Sequence, residues 1–517
     1  MIRTSLLLLA GMFACSSCSD FLEEYSQDKA QVESWEDLNE LLLGDGYLQP
    51  CRFVLSGSSS AASEIHKNLD ILHFMSDEVK ENVGNTRDLL GYRSGKFAFY
   101  TWQQDTGVDE DIRYVGGDEA YWDMFYEKIN TCNMVLSLID GQPASREEDV
   151  EGKERVKGEA YFLRAAYYFL LANLYAQPYL PQTAASTPGV PIKLSEYVED
   201  REFTREPLTT VYGQILADLE QAEACLQGKE RVSVYHADLT ATLLLRSRVY
   251  LYMQDWEAAA REARRVLELQ DGLLDLHSLT PGMDVVYRDS PETIFSMGGY
   301  LISVAFADWR GMFGNNMPAY FVSDDMVALF RRGDLRTNLF IGSSQNYRQS
   351  PVFLKVNGQQ RAWGNYSEVS DCFLLRTPEA YLTLAEASAC AGDEAEARRV
   401  LATFLETRME TAPSITQTGS ELVGLIRDER AREFLLEGHR WFDLRRYTVC
   451  QPYPWSKTIE HGHMYYDSYV PLRCDYYRLE TNDPAYTLPI PRKVLEFQVS
   501  LGDNERPARK PARSENY

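Results

Sequence analysis

Apolar residues recur at three- and four-residue steps over four stretches of this chain, the spacing that lines them up on one face of an α-helix. The first stretch predicts a helix over 121–139 and, past a polar loop, another over 155–175, where Ala160, Leu163, Ala166, Tyr167, Leu170, Leu171 and Leu174 share a face. A second begins at Leu208, with Tyr212, Ile215, Leu219, Ala222 and Leu226 aligned. The third covers 237–269 with a break at Gln254-Asp255, and the fourth 378–408 with a break at Gly392-Asp393. These last two repeat one pattern. Ser247, Tyr250, Trp256, Ala259 and Ala263 fit the small–large–large–small–small skeleton of a tetratricopeptide helix pair, and Ala385, Ser388, Ala397 and Leu401 repeat its spacing. Small side chains belong where two helices cross closely, because little more than a Cβ fits there. Generic helical hairpins are the plainer reading of the same pattern. Either way the expected fold is mainly α, with helical hairpins, long irregular insertions and little β structure.

The segments 56–60, 91–117, 176–207, 280–374 and 450–517 lack helical periodicity and are rich in Pro, Gly and aromatic residues. Disordered segments are poor in Trp, Tyr and Phe, so these insertions are expected to be folded and functional. At the N-terminus Arg3 precedes an apolar run over 5–13, too short to span a bilayer but right for an export signal. Ala14-Cys15-Ser16-Ser17-Cys18-Ser19-Asp20 follows it and reads as a lipoprotein cleavage site. Cys18 is preferred over Cys15 as the lipidated residue, since a small Ser precedes it and polar residues follow. An ordinary cleaved signal with incidental cysteines is the other reading.

Charge narrows the ligand classes. The chain has 77 acidic against 52 basic residues, a formal charge of -25, which argues against nucleic acid and anionic membrane surfaces as ligands. The cysteines beyond Cys18 are dispersed, without a metal-ligand spacing, and allow one disulfide at most. No nucleophile elbow, phosphate loop, dinucleotide fingerprint or paired-His zinc motif occurs. His461-Gly462-His463 reads as a solvated loop. Asp105, Asp109, Glu110 and Asp111 are a candidate structural calcium site, but the Gly and final Glu of an EF-hand loop are missing, and a solvated acidic turn is preferred. No other cofactor is expected. A hydrolase needs two carboxyl groups at a set separation, and a sequence this acidic cannot exclude them.

The run 425–446 contains Glu429-Arg430-Ala431-Arg432-Glu433-Phe434-Leu435 and then Glu437-Gly438-His439-Arg440-Trp441-Phe442-Asp443-Leu444-Arg445. It closely resembles the C-terminal signature of the SusD/RagB family. Gly158-Glu159-Ala160-Tyr161-Phe162-Leu163-Arg164-Ala165, Leu382-Thr383-Leu384-Ala385-Glu386-Ala387 and Leu488-Pro489-Ile490-Pro491 are similar to further family motifs, in the family's order. The mature start Ser19-Asp20-Phe21-Leu22-Glu23 fits too, so the resemblance spans essentially the whole chain. Two departures are Ala176-Gln177, where the family often has Gly-Asp, and the tail after Pro491, which lacks an Asn-Pro-rich ending. Physically, the signature reads as a structural helix. Glu429, Glu433 and Glu437 make an i,i+4 row for Arg430, Arg432, Arg440 and Arg445 to neutralise, while Trp441, Phe442 and Leu444 bury.

The resemblance implies a right-handed superhelical scaffold of tetratricopeptide-like hairpins. It implies a signal peptide at 1–17 and a single SusD-like domain at 18–517. Within that domain the scaffold occupies about 121–270 and 375–447, ligand-surface insertions about 50–120 and 280–374, and an irregular region 450–517. It further implies a lipoprotein on the outer face of the outer membrane, held there only by its lipid and seated over a SusC-like TonB-dependent barrel. Such a protein is not an enzyme. It captures oligo- or polysaccharide and passes it to the barrel, although one branch handles peptides. A tetratricopeptide-type adaptor for protein partners and a secreted hydrolase are the rival readings. Sugar rings pack their C–H faces on aromatic rings while their hydroxyls seek amides and carboxylates. The candidate ligand residues are therefore Asp77, at a family position close to ligand, and three aromatic clusters. These are Tyr100, Trp102 and Gln103; then Trp309, Phe313, Asn315, Asn316 and Tyr320; then Trp363 and Tyr366.

Overall fold

The computed structural model describes residues 32–49, 69–84, 92–197, 199–298, 306, 309–311, 314–316, 318–343, 350–355, 369–370, 373–467 and 469–517. The fold is mainly α. Its scaffold is a series of packed helices, α1 (Ala120–Leu138), α2 (Glu147–Tyr175), α3 (Leu208–Leu226), α4 (Leu239–Met253), α5 (Trp256–Leu269), α6 (Thr377–Cys390), α7 (Glu394–Leu405), α8 (Gly419–Glu433) and α9 (Arg440–Val449). α2 packs between α1 and α3, α3 against α4, α4 against α5, α5 against α6, and α6 against both α7 and α8. Each helix thus buries its apolar stripe on its neighbours in the stack, as repeat helices do.

The two sequence breaks are one turn used twice. Gln254 (φ 64°) and Gly392 (φ 90°) adopt the left-handed conformation that ends a helix. The next residue, Asp255 or Asp393, then accepts a hydrogen bond from Ala258 N (3.1 Å) or Glu396 N (3.0 Å) and caps the following helix. Ser247, Ala259, Ala263, Ala385, Ser388 and Ala397 are all buried, and Ser247 Oγ donates to Ala259 O at 3.1 Å across the α4–α5 crossing. Close approach also explains Gly158 on α2. A Cβ there would stand 2.6 Å from Leu226 Cγ on α3. Buried ion pairs set the register between helices: Arg164 to Asp218 (2.6 Å) joins α2 to α3, and Arg248 to Glu379 (2.5 Å) joins α4 to α6.

The run 425–446 is not one helix. α8 ends at Glu433, and a turn with Leu436 at φ 54° and Gly438 at φ 77° redirects the chain into α9. Glu429, Glu433 and Glu437 do sit among arginines, but most of these come from elsewhere in the chain. Glu433 accepts from Arg336, Arg376 and Arg408 at 3.1–3.2 Å. Arg376 also reaches Glu292 (2.8 Å) and Glu437 (2.7 Å), Arg408 reaches Glu292 (2.5 Å), and Arg336 reaches Glu429 (2.5 Å) and Asp334 (2.8 Å). Lys355 closes the cluster on Glu437. Of the four arginines expected to do this, only Arg432 pairs with the row, at Glu429. Arg430 turns to Asp443 and Arg440 to Asp77, while Arg445 donates to the carbonyls of Asn173 and Ala176 at the end of α2. Trp441, Phe442 and Leu444 are buried as the pattern requires.

The C-terminal region is more regular than its sequence suggests. β3 and β4 below are preceded in the chain by two short strands, β1 (Val79–Glu81) and β2 (Tyr320–Val322). Strands β3 (Ile459–Asp467), β4 (Val470–Leu479) and β5 (Arg513–Asn516) form an antiparallel sheet of order β5-β4-β3. His461 and His463, expected in a solvated loop, occupy inward positions of β3 and are buried. The remaining strand pairs are short, among them 309–311 with 314–316.

Removing one charge from the Glu292–Arg376–Glu433–Glu437 cluster leaves buried carboxylates short of a partner. The Arg376→Met variant should therefore lose about 3–5 kcal/mol of unfolding free energy, measured by denaturant titration. A loss within the ~0.5 kcal/mol typical of surface changes would show that the cluster is not a structural tie.

Candidate ligand-binding site

β1 pairs antiparallel with β2, Val79 facing Val322 and Glu81 facing Tyr320, and β1 also packs against β3. A cleft of about 410 Å³ opens where these elements meet. Asp77, Lys80, Glu81, Asp324 and Asp325 line it from the β1–β2 side, and Thr458, Glu460, His461 and Tyr476 from the β3–β4 side, with Tyr100 between them.

Each carboxylate of the cleft already holds a partner. Asp77 receives Arg440 Nε (2.7 Å) and Lys457 Nζ (2.9 Å), and the same Lys457 reaches Asp325 (2.6 Å). Lys80 pairs with Asp324 at 2.6 Å. Glu81 accepts from Met464 N (2.8 Å) and faces His463 Nδ1 (3.0 Å), and Glu460 pairs with Arg478 (2.8 Å) and Arg513 (2.9 Å). Burial would raise the pKa of Asp77, but Arg440 and Lys457 outweigh it and hold the carboxyl well below the usual range. Glu78, one residue on, has the opposite fate. Burial raises it to about 8, so it stays protonated at neutral pH, held by Leu436 N (2.7 Å) and Ser76 Oγ (3.0 Å).

The sequence-predicted residues divide into two groups. Asp77, Tyr100, Trp102, Gln103 and Tyr320 do converge on this region. Their rings, however, are inside the protein rather than on its surface. Tyr100 and Trp102 sandwich the His461 imidazole at centroid distances of 4.2 and 4.4 Å, and Trp102 Nε1 donates to Met75 O (2.9 Å). That packing leaves His461 buried and pushes its pKa down to about 4, so it is neutral. Tyr320 packs on Phe74 (4.8 Å) and Tyr100 (5.3 Å), and the Gln103 carbonyl accepts from Arg506 Nε (2.7 Å). Of the rings named, Tyr100 lines the cleft, while Trp102 and Tyr320 support its walls. Trp309 and Asn315 lie on the short strands 309–311 and 314–316, where Asn315 is opposite Arg310. Phe313, Trp363, Tyr366 and Cys18 lie outside the described residues.

Lys457, Asp324, Asp325, Glu460 and Tyr476 were not foreseen from the sequence. Arg440 stands in the signature motif, which was the only signal for any of the cleft's ionic partners. The candidate calcium acids are each engaged elsewhere. Asp109 and Asp111 pair with Arg113, Asp105 with Arg492 and Glu110 with His463. Among the described residues no group of three or more acids, histidines or cysteines is arranged to hold a metal ion.

The SusD-like family described as starch-binding and associating with the outer membrane matches residues 64–251, and the SusD/RagB family matches residues 336–504. Between them these spans take in Asp77, Arg440, Lys457, the second repeat hairpin and the signature run. The chain belongs to the SusD/RagB family. A SusD-like protein of Formosa agariphila is 30% identical over 149 residues, 29% of this chain and 26% of that relative, so the match covers about a quarter of the relative's length. A SusD-like carbohydrate binding protein from Bacteroides vulgatus superposes with a TM-score of 0.66 at 18% identity, covering 91% of this chain and 97% of the other. A SusD superfamily protein from Bacteroides thetaiotaomicron gives 0.66 and 18%, over 92% and 100%. At such identities the structural likeness establishes the shared SusD/RagB fold.

His463 offers a pH test of the wall that carries the cleft. Burial alone would lower its pKa; Glu81 at 3.0 Å and Glu110 at 3.4 Å outweigh that and raise it to about 9. The folded value exceeds the unfolded ~6.5, so the imidazolium's contribution, ~3 kcal/mol, is complete below about pH 6.5 and fades as pH climbs through 9. The difference in unfolding free energy between the native chain and His463→Gln should shrink by ~3 kcal/mol from pH 6 to 10, over and above the slope that Glu78 gives to both proteins. An equal slope in both proteins would contradict the assignment.

Proposed function

We propose that this chain is a non-catalytic surface receptor that captures oligo- or polysaccharide in the cleft between β1–β2 and β3–β4. The observation that carries the reading is the cleft's lining of hydrogen-bonding groups whose charges are already balanced. Lys80, Asp324, Asp325, Thr458 and Glu460 offer donors and acceptors at hydroxyl reach, and the half-buried Tyr476 ring adds an apolar surface. A sugar satisfies such a surface without titrating anything in it. The family description as starch-binding and the carbohydrate-binding relative support the same ligand class.

Hydrolysis is the reading this chemistry disfavours. A glycosidase keeps one carboxyl protonated as general acid and another ionised nearby. The raised carboxyl next to the cleft's Asp77 is Glu78, which is fully buried and does not line the cleft. The acids that do line it are tied to cations. Delivery to a SusC-like TonB-dependent barrel, with this protein as its outer lid, completes the proposal, as does anchoring through Cys18 on the extracellular side of the outer membrane. No helix among the described residues is long and apolar enough to cross a membrane, and two or three acyl chains on one cysteine would hold the protein firmly.

Affinity gels cast with soluble starch, xylan or another neutral polysaccharide should retard the purified protein with no release of reducing ends. For the glycan that retards it, calorimetry should find Asp325→Ala and Tyr476→Ala about tenfold weaker, or ~1.4 kcal/mol each. Polygalacturonate should bind less well than neutral glycans, because the chain's formal charge of -25 repels a polyanion. Released sugars would point to an enzyme instead, and binding of peptides but of no glycan would transfer the cleft to peptide capture.

A further inference from the structure

Cys390 is the last residue of α6, and Cys450 is the first residue past α9. One helical turn before each of them, Glu386 on α6 and Arg446 on α9 form a two-pronged ion pair at 2.6 and 2.9 Å. Ala391, next to Cys390, lines one cleft with Gln254, which is bonded on either side of Cys450, so positions 390 and 450 are neighbours. The chain around Cys450 is held in place from several sides. Gln254 Nε2 donates to Val449 O (3.1 Å), Gln254 Oε1 accepts from Gln451 N (2.8 Å), and Arg427 Nη1 donates to Tyr453 O (2.8 Å). Both sulfurs are buried free thiols that face each other, and Cys450 Sγ also donates to Gln451 O at 3.9 Å. Other described cysteines meet different partners: the Cys225 thiol contacts Glu154, and that of Cys474 contacts Tyr476.

We propose that Cys390 and Cys450 are a modification site at which the two thiols close into a disulfide in the exported protein. The bond joins the second repeat hairpin to the end of the signature segment and closes a loop of about 60 residues, a length over which a cross-link removes substantial unfolded-state freedom. It lies beside the turn at Gln254, Trp256 and Ala391, which borders an open cleft of about 470 Å³.

The chemistry is thiol–disulfide exchange with a disulfide-bearing oxidant, either a protein or oxidised glutathione. The Cys450 thiolate attacks one sulfur of the oxidant, whose S–S bond breaks and whose other sulfur leaves as a thiolate that takes up a proton. The Cys390 thiolate then attacks Cys450 Sγ in the mixed disulfide and expels the second oxidant sulfur as a thiol. The pair gives up two electrons and two protons, and the oxidant gains both. Cys450 suits the attacking role. The neighbouring Cys390 thiol and Arg427 favour its thiolate against the opposing effect of burial.

The test uses the full-length chain in two preparations. One is exported and isolated from the outer membrane; the other is made reduced in the cytoplasm and then incubated with oxidised glutathione. Each is denatured without reductant, alkylated with iodoacetamide and mapped by mass spectrometry. Both should yield a Cys390–Cys450 cross-linked peptide free of alkylation, which splits into two labelled peptides after reduction. Cys390→Ser should make Cys450 fully alkylated in the exported protein. Reducing the native chain should shift its thermal midpoint downward and leave that of Cys390→Ser unchanged. The proposal fails if both cysteines are alkylated in the exported protein, or if either is found joined to Cys51 or Cys372 instead. A cross-link formed with glutathione but absent after export would equally reject it, because the site is proposed for the exported protein.

Discussion

Glu433 is a fully buried carboxylate surrounded by three arginines from three separate segments, and much of the molecule is arranged around that requirement. Arg336 comes from the short helix Arg336–Phe340, Arg376 from the strand leading into α6, and Arg408 from the end of the α7 hairpin. All three guanidiniums are buried, and so are Glu292, Glu429 and Glu437, which share them. An isolated charge in such a place would cost several kcal/mol, whereas a complete set of partners satisfies every ion at once. The network consequently ties the insertion over 280–374 to the repeat helices and to the turn after α8. Apolar packing would hold those parts together without fixing their relative placement so narrowly.

The same rule shapes the cleft. Asp77 and Glu78 are adjacent in the chain and both buried, yet one is ionised and the other protonated at neutral pH. The difference is the direction of the cations. Arg440 and Lys457 point at Asp77, while Glu78 meets a backbone amide and a serine hydroxyl. Lys457, just before β3, also reaches Asp325 and so links the two walls of the cleft. What remains open to solvent is a polar surface with its charges settled, which suits recognition of a hydroxyl-rich ligand better than proton transfer.

Periodicity located helices α1 to α7, including both hairpin breaks, because each break combines a left-handed residue with an Asp cap that leaves a mark in sequence. α2 begins at Glu147, earlier than its apolar face, because Asp149 caps it by accepting from Arg146 N (2.9 Å). The C-terminal sheet escaped notice for a different reason. Its inward positions on β3 include His461 and His463, which an apolar–polar alternation counts as polar. The single helix expected over 425–446 also overlooked what Gly438 does in a chain that must turn. Tyr100, Trp102 and Tyr320 do meet in one region, but Trp102 and Tyr320 carry the same letters whether they stack on a ligand or on His461 and Phe74.

The sequence by itself determined the helical repeats, the family signature and the acidic character of the surface, since these depend on local spacing, on long motifs and on composition. Only the tertiary structure decided which arginine serves which carboxylate, which rings are covered, and that residues near 77, 325 and 457 form one cleft. Those outcomes rest on contacts between segments hundreds of residues apart, and a buried charge takes whichever partner the fold brings within hydrogen-bond reach, whatever lies next to it in the chain.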